Sequence, residues 1–359
     1  MRKNFKIKKP IFRPYSYKDY ERNIKKIWLD KNENTDEVIN NFFKKKFLNQ
    51  IPPRYLYSYP SLAETYAKVS KFCKKNKNQI LLTHGSDGGI KTIFESIVKQ
   101  NDKVVIVSPT FEMYDVYCKL YQAKYKTINY SIKDKKIYLN FSRLFKTLKK
   151  FKPKLNCFAS PDSPTGFFFN QTQVKKILEF SKKNNIFVLI DEAYYLFSEK
   201  TYINEINKYK NLAIIRSMGK AFGVAGLRVG FIVSNKINID FFRSYRGMYE
   251  INNIAAYMLN KILTKKGIKE VKNSVNRLIE GKKFFLKNLK KNSNIEFLDT
   301  HANFIHLKIL KDKNKIIKKI NDICVFKKRQ KHPILKDYIR LSLTTKKNFI
   351  NILKALNHR

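Results

Sequence analysis

The segment RSMGKAFGVAGLRVG, Arg216 to Gly230, sets one lysine among small residues directly after the apolar run Leu212–Ile215. Gly219 and Ala221 flank Lys220, a glycine-rich stretch follows, and Arg228 stands eight positions on. Most lysines of this chain have polar, charged or bulky neighbours, whereas here the backbone can pack closely around the amine. A partly desolvated amine is a nucleophile able to form a Schiff base with an aldehyde. Taken alone, the fragment also describes a surface lysine in a glycine-rich loop. The rest of the chain decides between the two.

Outward from this segment, about residues 61–233 alternate short apolar runs with helical patterns. The runs Ile80–Thr83, Val104–Ser108, Leu155–Ser160, Ile186–Ile190, Leu212–Ser217 and Val229–Val233 read as strands. Several are apolar almost throughout, as strands buried on both faces of a mainly parallel sheet are. Between them, Gln173–Asn184 carries Val174, Ile177, Leu178 and Phe180 at helical spacing. That rhythm predicts an α/β layered domain. The first sixty residues are aromatic-rich and irregular, and a long helical pattern runs from Asn253 to roughly Lys291. Strands are expected at Ile295–Leu298, Asn303–Ile309 and Ile339–Leu343, with a helix among them. The expected division is a large unit over 46–252 and a smaller α+β unit built from 1–45 and 253–359.

Composition bounds the function. Hydrophobic content of 43% and aromatic content of 14% over 359 residues exclude a disordered chain, despite a formal charge of +47. The 75 Lys+Arg against 28 Asp+Glu are mostly lysines scattered among Asn and Ile, so they express a bias of the whole chain. No specific nucleic-acid partner is expected; nonspecific polyanion binding at low salt is. Cys73, Cys118, Cys157 and Cys324 form no CxxC pair, which suits a reducing compartment and no metal ribbon. Neither a secretory signal nor an apolar run of membrane-spanning length is present, so the expectation is a soluble cytoplasmic protein without a membrane partner.

In open α/β sheets ligands bind beyond the carboxyl ends of the strands, and this chain places chemistry there. After Ile80–Thr83 comes Gly85-Ser86-Asp87-Gly88-Gly89, a turn into a helix whose free N–H groups suit a phosphate; such turns are also common without a ligand. After Val104–Ser108 comes Phe111, either a stacking surface for a planar ring or a core aromatic. After Leu155–Ser160 comes the turn-dense Pro161-Asp162-Ser163-Pro164-Thr165-Gly166. After Ile186–Ile190 comes Asp191, which needs a partner such as a protonated pyridine nitrogen or else caps a helix. A phosphate cradle, a stacking aromatic, a carboxylate and a lysine in this order together describe one cofactor, pyridoxal 5′-phosphate.

The wording of these segments resembles the histidinol-phosphate aminotransferase family, within the aspartate-aminotransferase-like fold, from about Arg13 to Leu343. Leu29-Asp30-Lys31-Asn32-Glu33-Asn34, Tyr59-Pro60, Gly85-Ser86-Asp87 and the Lys220 segment carry the resemblance. It implies a dimeric, pyridoxal-phosphate-dependent aminotransferase acting on an amino-acid donor and a keto compound. Lys220 is then the Schiff-base lysine and general base, and Asp191 and Tyr194 touch the ring nitrogen and the phenolic oxygen. Gly85, Ser86, Asp87, Ser217 and Arg228 hold the phosphate with a partner subunit's Tyr59, and Phe111 stacks on the ring. Arg340, Asn303, Lys327 and Tyr15 are implied on the substrate side. The same family shape hosts decarboxylases similar to L-threonine-phosphate decarboxylase.

Four positions depart from the family's wording. Ser163 stands where an asparagine usually bonds the phenolic oxygen, and Gly219 replaces a common serine before the lysine. Lys327 replaces a second arginine on the substrate phosphate, keeping charge but losing two-pronged geometry. Glu250 places a carboxylate in a loop that usually has asparagine there. These departures bear on the substrate more than on the reaction.

Overall fold

A computed structural model describes residue 11 and residues 21–198 and 200–357. Its strands are β1 (Ile27–Leu29), β2 (Ile80–His84), β3 (Lys103–Ser108), β4 (Lys124–Lys133), β5 (Lys136–Leu139), β6 (Leu155–Ala159) and β7 (Phe187–Asp191). They continue with β8 (Leu212–Ser217), β9 (Val229–Ser234), β10 (Ile295–Leu298), β11 (Phe304–Ile309), β12 (Cys324–Phe326) and β13 (Ile339–Ser342). Eight of them form one sheet in the order β2-β9-β8-β7-β6-β3-β4-β5.

The apolar runs are explained by where alternate side chains go. On β8, Leu212 and Ile214 join a core on one face while Ala213 and Ile215 join the core on the other. On β9, Phe231 and Val233 face the first core and Ile232 the second. A strand covered on both faces cannot alternate apolar with polar, so it reads as an unbroken apolar run. Burying such a side chain contributes about 1.5–3 kcal/mol, which makes these strands the frame against which the loops are held.

From β8 through β7, β6 and β3 to β4 the strands run parallel. β9 is antiparallel to both β8 and β2. β2 therefore points the same way as β8, and the carboxyl ends of β2, β3, β6, β7 and β8 share one edge.

The chain ends meet in a second structure. β10, β11 and β13 make an antiparallel sheet, and β1 pairs in parallel with β12. Leu29 packs with Phe285, Leu307, Leu341 and Phe349 in one core. Ile39 and Phe43 of the helix Glu37–Lys46 instead join the core of the large sheet, as do Ala255 and Leu259. The helical pattern expected from Asn253 to Lys291 is two helices, Asn253–Ile262 and Lys265–Leu289. The Thr264 hydroxyl accepts the Gly267 N–H at 3.2 Å and starts the second helix. Among the described residues, no helix is long and apolar enough to cross a membrane.

Candidate active site

Strand direction delivers most of the expected residues to one edge. Beyond β8, the Gly219 N–H donates to the Ser217 hydroxyl at 3.1 Å, shaping the turn that carries Lys220. The Lys220 amine donates to the Lys31 carbonyl at 2.9 Å and lies 5.8 Å from the centre of the Tyr194 ring. At the carboxyl end of β7, Asp191 is buried; its Oδ1 accepts the Ala193 N–H at 2.8 Å and its Oδ2 the Tyr114 hydroxyl at 3.4 Å. Burial pushes the Asp191 carboxyl up to about 6, against the pull of those two donors and of the Lys220 ammonium.

Beyond β2, Gly85 opens the helix Gly85–Ile97 with φ +71°. A Cβ on Gly85 would stand 2.8 Å from a guanidinium nitrogen of Arg228, and the positive φ itself favours glycine there. Gly230, on β9, comes equally close: a Cβ there would lie 2.6 Å from the Ser86 nitrogen. The Asp87 carboxylate accepts the Tyr117 hydroxyl at 2.9 Å. Beyond β3, Phe111 is half-buried, edge-on to Tyr114 with ring centres 6.5 Å apart. Beyond β6, Ser163 is half-buried in a turn closed by the Gly166 N–H on the Asp162 carbonyl at 2.7 Å.

The small sheet supplies the opposite wall. Asn303 is fully buried; its Nδ2 donates to the Asn32 carbonyl at 2.8 Å, and its Oδ1 has no partner among the described residues. Arg340 donates to the Asp30 carbonyl at 3.0 Å, with its guanidinium 5.2 Å from the centre of the Phe304 ring. Lys327 and Arg340 exchange both backbone hydrogen bonds, at 3.1 and 2.9 Å. In such a pair the two side chains leave the sheet on the same face.

Three expected residues stand apart. Tyr59 is 80% exposed and stacks on Tyr249 with ring centres 4.8 Å apart. Glu250 accepts the Tyr66 hydroxyl at 2.9 Å, and that hydroxyl accepts the Leu82 N–H at 3.2 Å. Tyr15 lies outside the described residues.

Other residues join the site without a role having been expected of them. Asn32, in the left-handed region at φ 57°, donates to the Tyr194 hydroxyl at 2.8 Å, and its N–H donates to Ser342 Oγ at 2.9 Å. His306 Nε2 donates to the Pro164 carbonyl at 2.7 Å, and burial holds the ring down to about 3, hence neutral. The buried pair Arg216–Glu192, 3.0 Å apart, ties the ends of β7 and β8 together. Thr201 and the Tyr202 N–H complete the hydrogen bonds of Glu192, which offsets the cost of burying the charge.

The family model for class I and II aminotransferases matches residues 24–356. The chain belongs to that family. The family depends on pyridoxal phosphate, the cofactor expected from the sequence. This aminotransferase is 31% identical over 327 residues to the histidinol-phosphate aminotransferase of Buchnera aphidicola subsp. Cinara cedri, covering 89% of this chain and 88% of the relative. Its fold is similar to that of histidinol-phosphate aminotransferase from Sinorhizobium meliloti in complex with pyridoxal 5′-phosphate. There the TM-score is 0.76 at 16% identity, over 92% of this chain and 89% of the other. The L-threonine-O-3-phosphate decarboxylase of Porphyromonas gingivalis also shares the fold, with a TM-score of 0.71 at 18% identity over 92% and 98% of the two chains.

Proposed function

We propose that this aminotransferase moves an amino group between an amino-acid donor, glutamate, and a phosphorylated keto compound of the histidinol phosphate type. The observation that carries the substrate reading is the Lys327–Arg340 pair: two cations on one sheet face, beside the strip that holds Lys220. A carboxylate or phosphate between them would meet a two-pronged donor and a point charge.

The residues present fit pyridoxal phosphate. The cradle at Gly85 is kept clear of any Cβ and has Arg228 against it, as a phosphate on a helix start requires. When bound, the cofactor supplies an electron sink for charge developing at the substrate's α-carbon. Asp191, the last residue of β7, would hold the ring nitrogen's proton. Phe111 would lie on the ring face, and the Tyr194 and Ser163 hydroxyls would reach the phenolic oxygen. Ser217, Arg228 and the Gly85–Asp87 amides would bind the phosphate. Lys220 would hold the aldehyde carbon and then take the proton from the substrate's α-carbon. Asn303, with its unpartnered Oδ1, would complete the substrate pocket, and Tyr15 would approach from a second subunit.

We read the active form as a homodimer in the cytoplasm. The outward-facing Tyr59 supports that reading, since it could serve a neighbouring subunit's phosphate. In this reading the small unit of 1–45 and 253–359 closes on the large unit of 46–252, and Glu250 tunes the loop at their border. Decarboxylation of a phospho-amino acid is the second reading, supported by the shared fold of the Porphyromonas enzyme. Mixing the cofactor-loaded protein with glutamate separates them: conversion to the pyridoxamine spectrum supports transamination, and release of carbon dioxide from a phospho-amino acid supports the second.

A further inference from the structure

Asp162 is a carboxylic acid with no contact to water, placed between the loops that follow β3 and β6. Its Oδ1 bonds the Thr110 hydroxyl at 2.7 Å and its Oδ2 the Tyr130 hydroxyl at 2.8 Å. Thr110 immediately precedes Phe111, Asp162 immediately precedes Ser163, and Tyr130 lies on β4. The backbone of Asp162 also closes the turn beneath Ser163, through Asp162 N–H to the Phe167 carbonyl at 2.8 Å and the Gly166 N–H to its own carbonyl at 2.7 Å. One side chain thus joins the loop after β3, the turn after β6 and the strand β4.

We propose that Asp162 is a positioning residue for the cofactor, a clamp that fixes the spacing between Phe111 and Ser163. The proposal rests on the functional reading above. A ring slot must be held to a few tenths of an ångström to grip a planar ligand, and loops alone do not provide that. The apolar frame of the sheet ends before Thr110 and Ser163, so the clamp is what carries its rigidity into the site.

The state of the acid follows from its surroundings. Burial pushes the Asp162 carboxyl up to about 8, and the neighbouring Asp191 pushes it the same way, against the Thr110 and Tyr130 hydroxyls. The titratable groups facing it are Tyr130, Tyr114 and Asp191. At neutral pH it is therefore mainly an uncharged acid, with one proton to donate and oxygens to accept, and it leaves Asp191 as the anion of the pair. An asparagine offers the same one-acceptor, one-donor pattern.

The test is equilibrium binding of pyridoxal phosphate to the cofactor-free protein, read by its visible absorption and by the dissociation constant. Binding by the wild type comes first: failure there overturns the functional reading, and the clamp with it. Given wild-type binding, Asp162→Ala is expected to weaken it roughly tenfold to a hundredfold and to displace the absorption maximum. Asp162→Asn is expected to bind within about threefold of wild type. The absorption of the wild type should change through a step near pH 8 that the asparagine variant lacks. Should Asp162→Ala fail to fold, Thr110→Val and Tyr130→Phe each remove one arm and are expected to weaken binding several-fold. Wild-type affinity and absorption in Asp162→Ala, or in both of the single-arm variants, would overturn the proposal.

Discussion

The Lys220 amine donates to the backbone carbonyl of Lys31, 2.9 Å away across 189 residues of sequence. One residue on, Asn32 bonds the Tyr194 hydroxyl and is held in turn by Asn303 and Ser342. The strip from Asp30 to Asn34 therefore connects the lysine of the large sheet to the arginine of the small one, since Asp30 accepts from Arg340 and the Asn34 amide donates to the Ala221 carbonyl.

Asp191 sets a trade between stability and function. Its folded pKa, about 6, lies above the ordinary 3.8 because burial disfavours the charge. Between those values the native state binds more protons than the unfolded state, so the cofactor-free protein loses stability as pH rises through that window. Asp191→Asn removes this penalty while keeping an acceptor for the Ala193 N–H. The cofactor-free variant should melt several degrees above the wild type at pH 7–8 and no higher than it below pH 4, while transamination falls by at least about a hundredfold. Thermal melts across pH, with glutamate turnover, check both halves.

Gly230→Ala should harm the cradle from behind. The added methyl would meet the Ser86 nitrogen at 2.6 Å, and backbone cannot rotate out of the way. Overpacking of that kind costs about 1–3 kcal/mol. Urea denaturation should show the loss, and affinity for pyridoxal phosphate should drop with it if the helix start whose amide moves binds the phosphate as proposed.

The paired cations test the substrate. A charge-assisted bond to an anion contributes about 1.5–3 kcal/mol, so Arg340→Ala should lower kcat/KM for a phosphorylated substrate by roughly tenfold to a few hundredfold. Arg340 also holds the Asp30 carbonyl, so a melt of the same variant separates lost binding from a loosened strip. Lys327→Arg should be neutral or improve turnover of histidinol phosphate, because it restores two-pronged geometry. A fall in activity there, together with better turnover of another phosphorylated ketone, would assign a different substrate.

Much of this architecture was legible in the residues, for a definite reason. β6, β7, β8 and β9 are covered on both faces, so they read as short, largely apolar runs. β4 and β5 were not legible as strands because they lie at one margin of the sheet, β5 as its edge, and alternate lysine and other polar residues with a few buried side chains such as Ile128 and Tyr130. β1 and β12 are three residues each and exist through their mutual pairing, which no local pattern encodes. The break at Thr264 hid inside a continuous apolar periodicity. In the site, the lysine, the glycine turn and Asp191 announced themselves by position at strand ends. Asp162 satisfied the same criterion, an acid just past a buried strand, and was passed over because two prolines beside it read as a turn. Asn32 acts through the Tyr194 and Ser342 hydroxyls and His306 through the Pro164 carbonyl, all brought from far along the chain, and a sequence holds no signal for those partners.

The central claim is that the amine of Lys220 carries the cofactor. The most direct measurement is borohydride reduction of the pyridoxal-phosphate-loaded protein, followed by peptide mapping of the labelled lysine. The label should fall on Lys220, and Lys220→Ala should lose both the label and the visible absorption of the bound cofactor. A label on any other lysine, or undiminished absorption in Lys220→Ala, would contradict the account.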